Sequence, residues 1–182
     1  MKWMIASDIH GSLDDCIAMQ KRFCAEKADK LLLLGDLLYH GPRNPLPPSY
    51  NPQGVIALLN EMKDDILCVR GNCDAEVDQM VLSFPIMADY STLWLGTRMV
   101  FVTHGHLFHT DHMPPLRPGV VLLHGHTHLY AMDEVGQNYY LNPGSISLPK
   151  GGNPKTYMVA EDGVFTLKDF SQNVLRTLDL ND

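Results

Sequence analysis

The chain of 182 residues carries 21 acidic against 14 basic side chains, a formal charge of −7, and is 45% hydrophobic and 19% charged. That length and composition fit a single globular domain over residues 1–182, with a core large enough to fold without staples, and they exclude a fibrous or low-complexity chain. The acidic balance excludes broad, non-specific binding to nucleic acid, which needs a basic face to release counterions, so no stable nucleic-acid complex is expected; a local cationic site remains compatible with it.

"WMIAS", residues 3–7, reads as a buried strand, and Ser12 is a good N-cap for an amphipathic helix from Leu13 to Lys27. "KLLLLGD" is a second buried strand. Five prolines between His40 and Gly54 make that stretch an irregular surface loop, out of which Asn51-Pro52 opens a helix reaching about Met62. "DILCVRGN" is a third buried strand. Strand, helix, strand, helix, strand implies parallel βαβ units with helices on the sheet faces. Beyond Phe84 the segments "TLWLGTRMVFVTHG", "VVLLHGHT", "YYLNPGS" and "TYMVAEDGVFTLKDF" are strand-like, with Asp162-Gly163 a hairpin signal. The last dozen residues are expected to form a peripheral strand or a frayed tail. The whole predicts two packed sheets flanked by helices, with no linker between them.

Cys16, Cys24, Cys68 and Cys73 form no C-x-x-C pair and read as reduced thiols, with Cys16 and Cys24 on the first helix as small core or partly exposed residues. No apolar run approaches the ~20 residues that span a bilayer, and the N-terminus lacks the pattern of a signal peptide. The expected compartment is the cytoplasm, without membrane attachment.

Polar residues recur where apolar strands end: Asp8 and His10 in "ASDIHG", Asp36 in "LLLLGD", Asn72 in "CVRGNCD", His104 in "FVTHGH", His126 and His128 in "LLHGHTH". Carboxyl ends of strands line the ligand crevice of open α/β sheets, so these residues can meet in space. Along a strand, residues i and i+2 share a face, which would aim Asp8 and His10 at one point; Asp and Gly are also ordinary turn residues. By the same alternation His124, His126 and His128 would all share a face.

The series D-x-H, G-D, G-N-x-[DE], H-G and G-H-x-H, in that order over residues 8–128, resembles the calcineurin-like metallophosphoesterase superfamily. "GNCD", "NPGSISLPKGG" and "GPRNPLP" make the chain most similar to its small bacterial phosphodiesterases. The resemblance implies a four-layer αββα sandwich of two mixed β-sheets flanked by helices. It implies that Asp8, His10, Asp36 and His128 hold one divalent ion and Asp36, Asn72, His104 and His126 a second, with Asp36 bridging. Two dications against two carboxylates leave a local charge of about +2, which attracts phosphate despite the acidic surface. Imidazole, carboxylate and amide ligands suit Mn²⁺, Fe²⁺, Zn²⁺ or Ni²⁺ rather than Ca²⁺, and Mn²⁺ is expected from the bacterial relatives. The implied reaction is hydrolysis of a small phosphodiester by a hydroxide bridging two ions. Alternatives are a phosphomonoesterase, a nucleotide pyrophosphatase, or a non-catalytic binding scaffold of the same fold. A homo-oligomer, dimer or tetramer, is compatible with all of these.

The chain departs from the superfamily at Cys73, where many members carry the histidine thought to protonate the leaving alcohol. Asp74 is expected to orient His104 or another ring by a hydrogen bond. Arg43 in the proline-rich loop reads either as a contact to substrate phosphate or as a solvated loop residue. His40, His106, His109, His112 and His124 match no ligand position and are expected at the surface or the core edge. Asn142 and Ser145 in "LNPGSIS" read either as an approach to the site from the next strand end or, in preference, as turn chemistry.

Overall fold

Side-chain parity along the first strands sorts the core into two layers. The computed structural model describes residues 1–181. In β1 (Trp3–Ala6) and β2 (Lys30–Leu33), Met4, Ala6, Leu31 and Leu33 face one way, while Ile5 and Leu32 face the other, and all are fully buried. A strand buried on both faces must be apolar throughout, which is why these segments read as continuous runs rather than alternating ones. The first face packs beneath α1 (Leu13–Glu26) and α2 (Pro52–Glu61) through Cys16, Met19, Val55 and Leu59. β3 (Ile66–Cys68) follows a 3₁₀ turn at Lys63–Asp65 and completes the parallel set β1, β2, β3.

Helix ends follow local chemistry with one exception. α1 ends before Lys27, which turns left-handed at φ 52°, and the amides of Lys27 and Ala28 reach the carbonyls of Cys24 and Phe23. At the other end Ser12 does not cap the backbone as expected; its hydroxyl donates to the Asp15 carboxylate at 2.6 Å. Asn51 does cap α2, accepting from the Gly54 amide at 3.0 Å. A four-residue helix, α3 (Glu76–Gln79), follows the Asn72 turn.

The second sheet contains β4 (Tyr90–Leu95), β5 (Arg98–Thr103), β6 (Val121–Leu123), β7 (Tyr130–Val135) and β8 (Asn138–Pro143), in the order β4-β5-β6-β8-β7. The last three strands, β9 (Thr156–Glu161), β10 (Val164–Asp169) and β11 (Val174–Asp179), return to the first sheet, in the order β11-β10-β9-β1-β2-β3. Both sheets are mixed, and β9 pairs antiparallel with β1. Between them lies a layer built from Ile5, Leu32, Val100, Val102, Val121, Leu123, Met158 and Phe165. Opposite parity in β5 and β6 turns Phe101 and Leu122 outward, where Phe108, Met113 and Leu116 of an irregular segment cover them. The outer layer here is irregular chain, with no long helix. The expected peripheral strand near the C-terminus is β11, at the edge of the first sheet. β7 was not anticipated.

Candidate metal centre

Five of the eight non-glycine residues with positive φ among the described residues are candidate ligands: Asp8 (59°), His10 (49°), Asp36 (57°), His126 (66°) and His128 (60°). Left-handed backbone is sparsely populated by non-glycine residues and persists where surrounding structure over-determines it, as at ligand sites. The strand-alternation account of the D-x-H and H-x-H spacings is therefore corrected. β1 ends at Ala6 and β6 at Leu123, and left-handed turns beyond the strands direct these side chains. Main-chain bonds hold the turns together: Asp8 N–H donates to Gly35 O, His10 N–H to Asp36 O at 2.9 Å, and Gly125 N–H to His104 O at 2.9 Å. Gly71 and Gly125 allow the approach, because a Cβ on Gly71 would collide with the Asp36 carboxylate and one on Gly125 with Ser7 and Asp8.

Three imidazoles are locked in the same tautomer. Nδ1 of His10 donates to Tyr39 O at 2.8 Å, Nδ1 of His104 to Leu34 O at 2.6 Å, and Nδ1 of His128 to Leu148 O at 2.6 Å. Each leaves an Nε2 lone pair facing inward, the form that binds metal. Nε2 of His10 and Nε2 of His128 then face each other at 3.2 Å, with Asp8 Oδ1 at 3.6 and 3.3 Å from them. On the other side, Nε2 of His104 meets Asn72 Oδ1 at 3.1 Å and His126 Nδ1 at 3.2 Å. Oδ2 of Asp36 stands between the groups, 3.7 Å from His10 Nε2 and 3.5 Å from His104 Nε2.

These atoms are acceptors aimed at acceptors. Asp8 Oδ1 is buried with no hydrogen-bond donor. Such a cluster is costly unless a cation fills it. Burial works against charge on His104, but the Asp36 hydrogen bond and the charges of Asp8 and Asp36 outweigh it and raise that ring to about 9. Burial likewise opposes the Asp8 carboxylate, yet the rings around it, when they carry a proton, hold it well below the usual range. His126, pushed down to about 4 by burial and by the charge of His104, stays neutral. The donor set of nitrogen and oxygen atoms fits a divalent transition metal, and without one a proton on His104 takes part of its place.

Other expectations are met unevenly. Asp74 does not touch a ring: it is buried and accepts the amides of Asp36 (2.9 Å), Leu37 (2.9 Å) and Gly71 (2.7 Å), so it fixes the backbone that carries Asp36. Burial, followed by the charge of Asp36, raises its pKa against those three bonds. The Cys73 amide donates to Asp36 Oδ1 at 2.8 Å, and its thiol lines the cleft with His10 and Asp36 close by. Burial and the Asp36 charge push that thiol up to about 12. His124 is not at the surface. It is 2% exposed, its ring lies 4.8 Å from that of Tyr140, and it takes no part in the acceptor cluster. His40, His106 and His109 are half-buried and His112 is exposed. Asn142 and Ser145 are more than turn chemistry, being fully buried and bonded to the loops that carry ligands.

Beside the acceptor cluster opens a cleft of about 400 Å³, lined by Asp36, Asn72, His126 and His128 and by Arg43 and Lys150. Neither Arg43 nor Lys150 has an ion-pair partner among the described residues. Lys150 was missed in the sequence because "LPKGG" shows no pattern that ties it to the site. His126→Ala and His128→Ala are expected to abolish most turnover, while His124→Ala keeps kcat/KM within about tenfold, or ~1.4 kcal/mol of barrier. Kinetics of the three variants check this, and equal losses at all three would contradict it.

Two mixed sheets that present a buried Asp/His acceptor cluster beyond their strand ends define a metal-dependent hydrolase of phosphoesters. The chain belongs to the calcineurin-like phosphoesterase superfamily, whose domain matches residues 1–162. It is 47% identical over 167 residues to phosphodiesterase YfcE of Escherichia coli K12, covering 92% of this chain and 91% of that one. The solved structure of YfcE, a phosphoesterase from E. coli, superimposes over the full length of both chains with a TM-score of 0.96 and 44% identity. A Vps29 single mutant from Entamoeba histolytica shares the fold, at a TM-score of 0.63 and 19% identity over both full lengths. The acceptor cluster is the place for divalent metal ions in this fold. No helix among the described residues is long and apolar enough to cross a membrane.

Proposed function

We propose that this chain is a phosphodiesterase that works with two divalent ions, Mn²⁺ foremost, on a small phosphodiester in the cytoplasm, with residues 1–182 as one catalytic domain. The observation that carries the two-ion reading is Oδ2 of Asp36, a single oxygen within 3.7 Å of His10 Nε2 and 3.5 Å of His104 Nε2. In this reading Asp8, His10, Asp36 and His128 hold one ion, and Asp36, Asn72, His104 and His126 the other. Bound there, the ions lower the pKa of a water and offset charge growing on the phosphoryl oxygens. The chain's own contribution is orientation: carbonyls of Tyr39, Leu34 and Leu148 hold three rings with Nε2 inward, and Asp74 pins the turn at Asp36. Arg43, exposed on the cleft lining, contacts the substrate's phosphoryl oxygens, and Lys150 lines the same cleft. The preference for diesters is supported by the 47% identity to the E. coli phosphodiesterase.

The test is hydrolysis of bis-p-nitrophenyl phosphate and of p-nitrophenyl phosphate by metal-free protein resupplied with Mn²⁺, Fe²⁺, Zn²⁺ or Ni²⁺ in turn. Turnover of the diester only with added metal, highest with Mn²⁺, is the expected result. Full activity in chelated protein would overturn the metal-dependent reading, and faster turnover of the monoester would overturn the diester preference.

A further inference from the structure

The end of β8 and the segment after it, residues 142–148, bond to Asp8 and His128 and to the neighbours of His126 without lining the cleft. Ser145 Oγ donates to the carbonyl of Asp8 at 2.9 Å, and Ser147 Oγ donates to the same carbonyl at 2.7 Å. That carbonyl belongs to a residue with φ 59°, whose side chain carries the orphaned Oδ1. Leu148 O accepts the Nδ1 proton of His128 at 2.6 Å, and the Leu148 amide is itself held by Ser145 Oγ at 2.9 Å. Asn142 Nδ2 reaches Gly125 O at 2.9 Å and Thr127 Oγ1 at 3.1 Å, on either side of His126.

We infer that residues 142–148 are a strap that positions the metal ligands, with Ser145 and Ser147 acting as one unit on the Asp8 carbonyl. The inference rests on the metal-site reading above. A carbonyl oxygen has two lone pairs, and both are occupied here by hydroxyls from one short segment. Removing either serine leaves the carbonyl with a partner. Removing both leaves a buried, unpaired acceptor inside a left-handed turn, and the turn relaxes to find a donor. Asp8 Oδ1 moves with it, so the predicted loss is in metal affinity and exceeds the product of the single losses. Groups that orient ligands in this manner are commonly worth 10–100-fold in metal affinity.

The experiment titrates metal-free protein with Mn²⁺, reading free Mn²⁺ by electron paramagnetic resonance, alongside the melting midpoint of the metal-free state. Ser147→Ala should bind within about threefold of the parent, and Ser145→Ala, which also frees the Leu148 amide, should fall between that and the double variant. Ser145→Ala/Ser147→Ala should bind tenfold or more weakly, and Ser145→Ala/Ser147→Thr, which restores one hydroxyl, should recover most of the loss. A double variant that melts lower yet binds Mn²⁺ as tightly as the parent would show a structural role only and overturn the inference, as would losses that simply multiply. No Mn²⁺ binding by the parent protein would instead overturn the metal-site reading and this inference with it. Where the double variant fails to fold, Asn142→Leu, which keeps volume and removes the donors to Gly125 O and Thr127 Oγ1, carries the same test: weakened Mn²⁺ binding supports the strap and unchanged binding overturns it.

Discussion

Asp36→Asn is expected to lower kcat/KM by about a thousandfold or more, equivalent to ~4 kcal/mol of barrier, and to reduce bound metal below two ions per chain. The size follows from the two roles of one carboxylate. Its Oδ1 accepts the Cys73 amide at 2.8 Å, while its Oδ2 faces the lone pairs of His10 and His104 at 3.7 and 3.5 Å. An asparagine must turn its oxygen toward the Cys73 N–H, since an NH₂ group there would set donor against donor. The NH₂ then points at the imidazole lone pairs and hydrogen-bonds to them, occupying the space between the ligand groups with a neutral donor. The change also removes the hydrogen bond and charge that raise the His104 ring to about 9, so in metal-free protein that ring should titrate lower. Metal content after dialysis, together with kinetics, checks the expectation. Two ions per chain in the variant would mean that Asp36 does not bridge.

Much of this arrangement is written locally. Continuous apolar runs in "WMIA" and "KLLL" forced strands buried on two faces, and those strands place Asp8 and Asp36 just beyond neighbouring parallel ends. Four of the five prolines lie in irregular chain, and the fifth, Pro52, opens α2. The seven candidate ligand positions stood out as Asp, Asn and His residues at the ends of apolar strands beside glycines, and the structure gathers them around one cluster.

What escaped was non-local. β7 is an edge strand whose one buried residue is Met132, so it carries almost no alternation to read. The left-handed turns at Asp8, His10, His126 and His128 depend on hydrogen bonds to chain far away in sequence, and strand alternation mimicked their spacing. Asp74 looked like a side chain that would orient a ring because it lies two residues from Asn72; its true partners are three amides, two of them on the turn after β2. Asn142 and Ser145 look the same in sequence whether they turn the chain or brace a distant carbonyl. The one cue available was a cluster of Asn142, Ser145 and Ser147 at and just after the end of a strand, where buried polar side chains need partners.

At Cys73 the expected result is a steep fall in kcat/KM as the leaving group of the diester becomes more basic. A p-nitrophenolate departs as a stable anion, whereas an alkoxide needs a proton in the transition state, and a positioned acid there is worth typically 10²–10⁴-fold. The Cys73 thiol is poorly matched to that task. Burial and the neighbouring Asp36 charge hold its pKa up at about 12, far from the operating range in which an acid both keeps and releases a proton efficiently. The side chain nevertheless lines the cleft, its backbone pinned to Asp36 Oδ1. Its sulfur lies 3.2 Å from where a Cβ on Gly41 would sit, so the loop is packed close on that side and a larger side chain must extend into the open cleft. Cys73→His should therefore place its ring beside the substrate and flatten the dependence on leaving-group pKa, raising rates for alkyl diesters more than for aryl ones. The measurement is kcat/KM across a series of aryl and alkyl phosphodiesters in both proteins. A shallow slope in the unmodified chain would mean that another group, such as His106, whose ring lies 5.4 Å from that of His104, already delivers the proton.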